Sequence, residues 1–170
     1  MSKINKAPNF MAMAEQLKAD LQSDAEIQGM DFIHNNFYEE GFTDAAFEAW
    51  EPKKQSDTYN ILRVTNYLFK SVHVASSSKD KVVFEADAPY AQIHNEGGIL
   101  NIPITERSRK FFWVMFKATG DEKWKWMALT KKDRFTVKID KRQFMGDSIT
   151  FANNWDKHVI NEIITRFKQL

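Results

Sequence analysis

The sequence predicts an α+β fold: one antiparallel sheet flanked by an N-terminal and a C-terminal amphipathic helix, in a single domain spanning residues 1–170. Three observations predict it. Apolar residues recur at helical spacing in the first segment (Phe10, Met13, Ala14, Leu17, Leu21) and in the last (Trp155, Val159, Ile160, Ile163, Ile164, Phe167). The stretch between them holds β-branched and alternating runs, of which Phe135-Thr136-Val137-Lys138-Ile139 is the plainest. The length of 170 residues suits one domain and is enough to bury a core.

Taken in order, the N-terminal helix reaches Leu21, where two readings stand. Ser23 and Glu26 have the spacing of a capping box that starts a second helix, or the first helix continues through Ile27, Met30, Ile33 and Phe37. Gly41 is the expected stop. Residues 42–60 read as a loop pinned by Trp50, with Pro52 disfavouring helix at Glu51. Tyr59 to Val74 reads as a short strand, a helical turn and a strand. Ser76 to Lys81 is a turn, and Val82 to Asp87 completes a hairpin. Asp87 is placed to cap a short helix with Pro89 in its first turn, running through Tyr90, Ile93 and His94 to Gly97-Gly98. Ile99 to Ile104 is a strand. Thr105-Glu106 opens a helix through Phe112 and Phe116 to Gly120, although the unbroken apolar run from Phe111 to Phe116 also fits a buried strand.

Composition narrows the class. Hydrophobic residues make up 43%, charged residues 28% and aromatics 14%, which describes a globular chain able to offset its ordering entropy. With no cysteine there is no disulfide framework, no thiol nucleophile and no Cys-ligated zinc. The opening Met1-Ser2-Lys3-Ile4-Asn5-Lys6 leads into no apolar signal core, and no stretch approaches a membrane span, so a cytoplasmic product is expected. Net charge is +1, but unevenly placed: residues 1–50 carry −6 and residues 51–170 carry +7. Such polarity describes two solvated faces, or it steers head-to-tail contact between copies.

Chemistry-bearing patterns are few. His34, His73, His94 and His158 form no close metal-ligand pair. His94 stands two residues before Glu96, but helical residues two apart do not face each other, so an acid–base pair there is the weaker reading beside a turn whose glycines supply positive φ. There is no phosphate-binding glycine loop and no nucleophile elbow. Residues 105–142 hold 12 Lys and Arg against 5 Asp and Glu, interleaved with Phe111, Phe112, Trp113, Trp124 and Trp126. This fits a single-stranded nucleic-acid surface. It fits better an aromatic stripe facing a core with lysines on the wet side, and Lys123-Trp124-Lys125-Trp126 alternates like a Lys-protected edge strand.

Read together, four segments resemble the phage virion morphogenesis family. They are Trp50-x-Pro52; Ile61-Leu62 to Leu68-x-x-Ser71; Ala88-Pro89-Tyr90-Ala91-Gln92-Ile93-His94-Asn95-Glu96-Gly97-Gly98; and Val137 to Arg142-Gln143-Phe144-Met145-Gly146. The family includes tail-completion proteins of Mu-like phages, and lambda-type tail-completion proteins look related. The resemblance spans about residues 45–150. Asp140 and Gln143 stand where the family often has proline, and residues 105–132 look like an insert associated with prophages of Bacteroides-type hosts. The resemblance implies a non-enzymatic role without cofactor or metal, in tail completion or head–tail joining at the neck of the virion. Its implied partners are other tail or neck proteins, with copies joined into a ring in the virion and the isolated chain free to be monomeric. Membrane is not implied, and DNA contact is permitted rather than required. Tyr90, Ile93 and His94 then share one face of a short helix fixed by Gly97 and Gly98. Phe144 fastens the Arg142–Gly146 loop, with Gly146 allowing a tight turn. These read as positions that hold the fold before any that touch a partner.

Overall fold

The computed structural model describes residues 9–53 and 59–168; the hexapeptide at the start and the 54–58 part of the expected loop lie outside them. The fold is α+β, with its antiparallel pairing divided among three two-stranded hairpins rather than gathered in one sheet. The chain forms two compact units, Met1–Glu96 with Lys141–Leu170, and Gly97–Asp140.

The first unit is built on one helix, α1 (Phe10–Tyr38), capped by the Asn9 side chain. The capping box at Ser23 does not form. The Ser23 hydroxyl donates back to the Ala19 carbonyl, and the Glu26 carboxylate accepts from Ser77. The helix runs on because tertiary contacts hold it along its length, which outweighs a local start signal. At Gly29 the ring of Phe84 lies so close that a Cβ would stand 2.2 Å from Cζ. Further on, Phe32 packs against Phe42 and Phe151 at ring separations of 5.8 and 5.0 Å.

The stop differs from expectation. Glu40, not Gly41, takes the left-handed conformation, with φ 52°. Gly41 is required for space instead, since a Cβ there would lie 2.3 Å from the Phe47 ring. It opens β1 (Gly41–Thr43), which pairs with β2 (Phe47–Ala49) where the sequence suggested only a loop. Strands of three residues carry too little periodicity to be read.

The strand expected after Tyr59 is also absent. Leu62 and Asn66 have positive φ, 58° and 55°, and break any extended run there. The helical turn is α2 (Tyr67–Ser71), followed by the hairpin of β3 (Val72–Ser78) and β4 (Lys81–Ala86), with a bulge between Val74 and Ser76. The turn is tighter than expected, because Ser76 to Ser78 belong to the strand. The short helix α3 (Ala91–Glu96) starts later than Asp87 suggested: the Asp87 N–H donates to the Ser71 carbonyl at the end of the hairpin, and its carboxylate lies 3.6 Å from His73 Nδ1.

The last helix, α6 (Ile149–Lys168), begins ahead of its apolar stripe. The Ser148 hydroxyl accepts from the Phe151 N–H at 3.0 Å and donates to the Thr43 carbonyl at 2.6 Å, which caps the helix and ties it to β1. It runs antiparallel to α1, with Phe151 on Phe32, His158 Nε2 2.8 Å from Asp24 and Arg166 on Asp20.

The second unit is a hairpin whose connection contains two helices. β5 (Gly98–Pro103) pairs with β6 (Arg134–Ile139), and between them run α4 (Glu106–Thr119) and α5 (Glu122–Leu129). Thr105 and Ser108 make a reciprocal capping box for α4, and Gly120 ends it at φ 70°. Of the two readings of Phe111 to Phe116, helix is the one adopted. The edge strand expected at Lys123–Trp126 is instead part of α5, because the Asp121 side chain caps the Lys123 N–H and starts a helix there. Phe112 is the centre of this unit, stacked on Trp124 at 6.1 Å and edge-on to Phe135 at 5.9 Å. Arg109 donates to the Ala128 and Thr130 carbonyls at 2.8 and 2.7 Å, closing α4 onto the end of α5. Residues 105–132, read as an insert, lie wholly within this unit. Among the described residues no helix is long and apolar enough to cross a membrane.

Candidate functional site

One residue or more from each segment that carries the family resemblance, among them Trp50, Leu68, Ala91 and Phe144, lies in the buried core of the first unit. α1 brings Asn36 and Phe37, both buried, to its floor. The β1–β2 hairpin delivers Trp50 beside them, 7% exposed, with its ring edge-on to Phe37 at 5.9 Å. From the far end of the chain, the 142–146 loop inserts Phe144, which is fully buried and meets the Phe37 ring at 4.8 Å.

Hydrogen bonds then fix the loop on three sides. The Trp50 Nε1–H donates to the Gln143 carbonyl at 2.7 Å, and the Asn36 amide donates to the Phe144 carbonyl at 3.1 Å. The Asn95 side-chain oxygen accepts two backbone N–H groups, from Phe144 at 2.9 Å and Met145 at 3.1 Å. The Arg142 N–H donates to the His94 carbonyl at 2.8 Å, and its guanidinium reaches the Glu51 carbonyl at 3.1 Å. Nearly all of these bonds end on backbone atoms, so they specify the path of the loop. Gly146, at φ 149°, turns the chain out towards α6, and a Cβ there would lie 2.7 Å from the Gln143 amide nitrogen.

The α3 residues divide by role. Ala91 is buried in the core, Ile93 is half-buried, and Tyr90, just ahead of the helix, is 37% exposed with its ring edge-on to His94 at 5.7 Å. Pro52 is exposed, and what holds its segment is the neighbouring Glu51 carbonyl. Gly97 has φ 72° and Gly98 φ 149°, conformations that favour glycine, so the pair turns the chain out of α3. Sequence reasoning missed Asn36, Asn95 and the Gln143 carbonyl. Asn95 was visible inside the motif, but nothing in its spacing says that its side chain holds two N–H groups fifty residues away.

Burial, and then the charge of Arg142, push the His94 imidazole below its ordinary pKa of 6.5. Its Nδ1 is buried without a hydrogen-bond partner. The Glu96 carboxylate accepts from the Gln92 amide at 3.3 Å, on its own helix. Burial also lowers the pKa of His34, despite Asp31 nearby. Because the folded pKa values lie below the unfolded ones, the unfolded chain takes up protons first. Stability is therefore complete above pH 6.5 and falls as pH drops from there towards the folded values. Urea midpoints should be lower at pH 5.5 than at pH 7.5, and His94→Gln should remove part of the difference; equal midpoints in the unsubstituted protein would contradict this.

Elsewhere, a groove of about 370 Å³ lies among α1, the β3–β4 turn and α6, lined by residues such as Leu21, Lys81, Phe84 and Trp155, none of them in the junction. Among the described residues no cluster of His, Asp and Glu could hold a metal ion. In the second unit, the basic aromatic stretch is divided: Phe112 and Trp124 face its packing, while Phe111 and Trp126 are exposed. Lys123 and Lys125 pair with Asp121 and Glu122 at 2.9 and 3.2 Å. In comparison with known proteins, the chain matches no family model, no curated protein and no solved structure.

Proposed function

We propose that this chain is a non-enzymatic assembly protein of a tailed bacteriophage, acting in tail completion or head–tail joining at the neck. One observation carries the reading. Three segments that resemble the virion morphogenesis family, at Trp50-x-Pro52, Tyr90–Glu96 and Arg142–Gly146, lie far apart in sequence and meet in one packed junction. Their polar side chains hold backbone, as positions that define a fold should. The protein is made in the bacterial cytoplasm and ends in the virion, its partners are other tail or neck proteins, and copies join head to tail into a ring. The host is a Bacteroides-type bacterium carrying the phage as a prophage. The alternative of a single-stranded nucleic-acid module at 105–142 has less support, since Arg109, Lys123 and Lys125 are already engaged within their own unit.

Electron microscopy of lysates from a phage lacking this gene tests the role. Filled heads beside separate tails are expected. Normal, infectious particles would remove the proposal.

A further inference from the structure

We propose that the free edge of β5 is a docking site for an extended, acidic segment of a partner protein, which joins the β5–β6 hairpin as a third strand. The inference does not depend on the virion role. It rests on the hydrogen-bond register of β5, the side chains along it and the charge around it.

Among the described residues β5 and β6 pair only with each other, so β5 leaves one row of backbone groups without a strand partner. The register says which groups those are. Just past the strands, the Ile104 N–H donates to the Asp133 carbonyl at 2.8 Å, in line with the pairing of Pro103 with Arg134. Antiparallel pairs alternate between bonded and non-bonded, so Gly98, Leu100 and Ile102 turn their backbone groups to β6, while Ile99, Asn101 and Pro103 turn theirs outward. Pro103, which has no N–H, stands where none is needed. Ile99 and Asn101 offer two outward N–H groups, and all three residues offer carbonyls. Proteins ordinarily guard such an edge with charge, a bulge or shortness. The other strands have these: β1 and β2 are three residues each, β3 carries the bulge, β4 includes Lys81 and Glu85, and β6 includes Arg134 and Lys138. β5 has none of them until Pro103 closes it, and every one of its residues is exposed.

Side chains and charge name the occupant. On one face of the hairpin Leu100 and Ile102 stand beside Val137 and Phe135; on the other Ile99 and Asn101 stand beside Lys138 and Thr136. Ile99 is 64% exposed and Ile102 48%. A strand laid along β5 meets an aliphatic row on the first face. On the second it lies two strand spacings, about 10 Å, from β6, a span that the Lys138 side chain can bridge. Alternate apolar and acidic side chains suit both faces at once. The surroundings favour the same partner. Residues 97–140 hold 10 Lys and Arg against 5 Asp and Glu, a net +5. Lys131, Lys132 and Lys138 have no carboxylate partner among the described residues, whereas Lys123, Lys125 and Arg134 are ion-paired. That charge opposes a second copy, because two β5 edges brought together set +5 against +5. Nucleic acid would engage the lysines but leave the outward N–H groups and the aliphatic row idle, and β5 has no aromatic ring on which a base could stack.

Fluorescence anisotropy and amide hydrogen exchange on the full chain test the inference, with a short labelled peptide alternating glutamate and valine as the probe. At about 50 mM salt the peptide should bind. In its presence the Ile99 and Asn101 amides should exchange about tenfold more slowly or slower still, while those of Leu100 and Ile102, already in the ladder, change little. Asn101→Pro deletes one outward N–H and leaves the ladder to β6 intact, so binding should weaken by about tenfold or more. Asn101→Ala loses the same hydrogen bond from Thr136 but keeps the N–H, and should bind as the unsubstituted protein does. No binding at low salt overturns the inference, as does binding that Asn101→Pro leaves unchanged. An equal loss in Asn101→Ala overturns it too, since the effect then belongs to the side chain, and so does equal binding of a peptide with lysine in place of glutamate. Ile99 and Asn101 amides that are protected without peptide, and more so as protein concentration rises, would give the edge to a second copy and overturn the assignment. Normal phage particles without this gene would remove the virion role and leave this site standing.

Discussion

Phe144→Ala is expected to lower the free energy of unfolding by about 3–5 kcal/mol, the range for truncating a fully buried phenylalanine. The whole ring is out of contact with water. It lies on Phe37 at 4.8 Å, and Phe37 in turn meets Trp50 at 5.9 Å and Phe69 at 5.6 Å, so the void opens where four distant parts of the first unit join. Surrounding atoms have little freedom to fill it, because the loop path is fixed by hydrogen bonds from Trp50, Asn36 and Asn95. Phe144→Leu keeps most of the volume and should cost less than about 2 kcal/mol. The measurement is the urea midpoint of the first unit at unchanged slope, with near-ultraviolet circular dichroism reporting the packed aromatics. A loss below about 1 kcal/mol for the alanine variant would mean that the junction relaxes easily and is not the centre of the fold.

The same junction shows what could be read from the sequence and what could not. Elements whose signals are local and long were legible: α1 and α6 from helical spacing, the Thr105-Glu106 start and glycine stop of α4, and the alternation of β6. Signals that depend on partners elsewhere were not. Ser23 and Glu26 looked like a helix start, yet each finds another partner, and α1 continues because Phe84 and Phe151 press on it from other elements. Lys123 to Trp126 alternates as a strand does, but the helix start at Asp121 decides the conformation, and four residues of alternation are weaker than a capped first turn. The pairing of β5 with β6 across two helices could not be seen at all, since nothing in either strand marks the other as its partner. At the candidate site, the hydrophobic members Trp50 and Phe144 were identifiable as residue types that want burial. The polar members were not, because an asparagine that holds a distant backbone has the same local sequence as one facing water.

Asn95→Ala isolates that polar contribution. Its side-chain oxygen is the acceptor for both the Phe144 and the Met145 N–H groups, at 2.9 and 3.1 Å. Truncation removes one oxygen and leaves two half-buried donors to find water or go unpaired. An unsatisfied buried group costs about 1–3 kcal/mol, so a loss of about 2–4 kcal/mol is expected for the pair, reduced to the extent that water enters. Asn95→Asp discriminates between lost hydrogen bonds and lost packing. The carboxylate has the same size and accepts both N–H groups, so most of the stability should return. The aspartate should also recover less on acidification, since protonation takes away part of its accepting capacity while the alanine variant has none to lose. If alanine and aspartate destabilise equally, the two hydrogen bonds contribute little, and shape alone holds the 142–146 loop in the fold. If only alanine destabilises, this asparagine sets the path of the chain at the point where the motif segments meet, as its two bonds to that loop indicate.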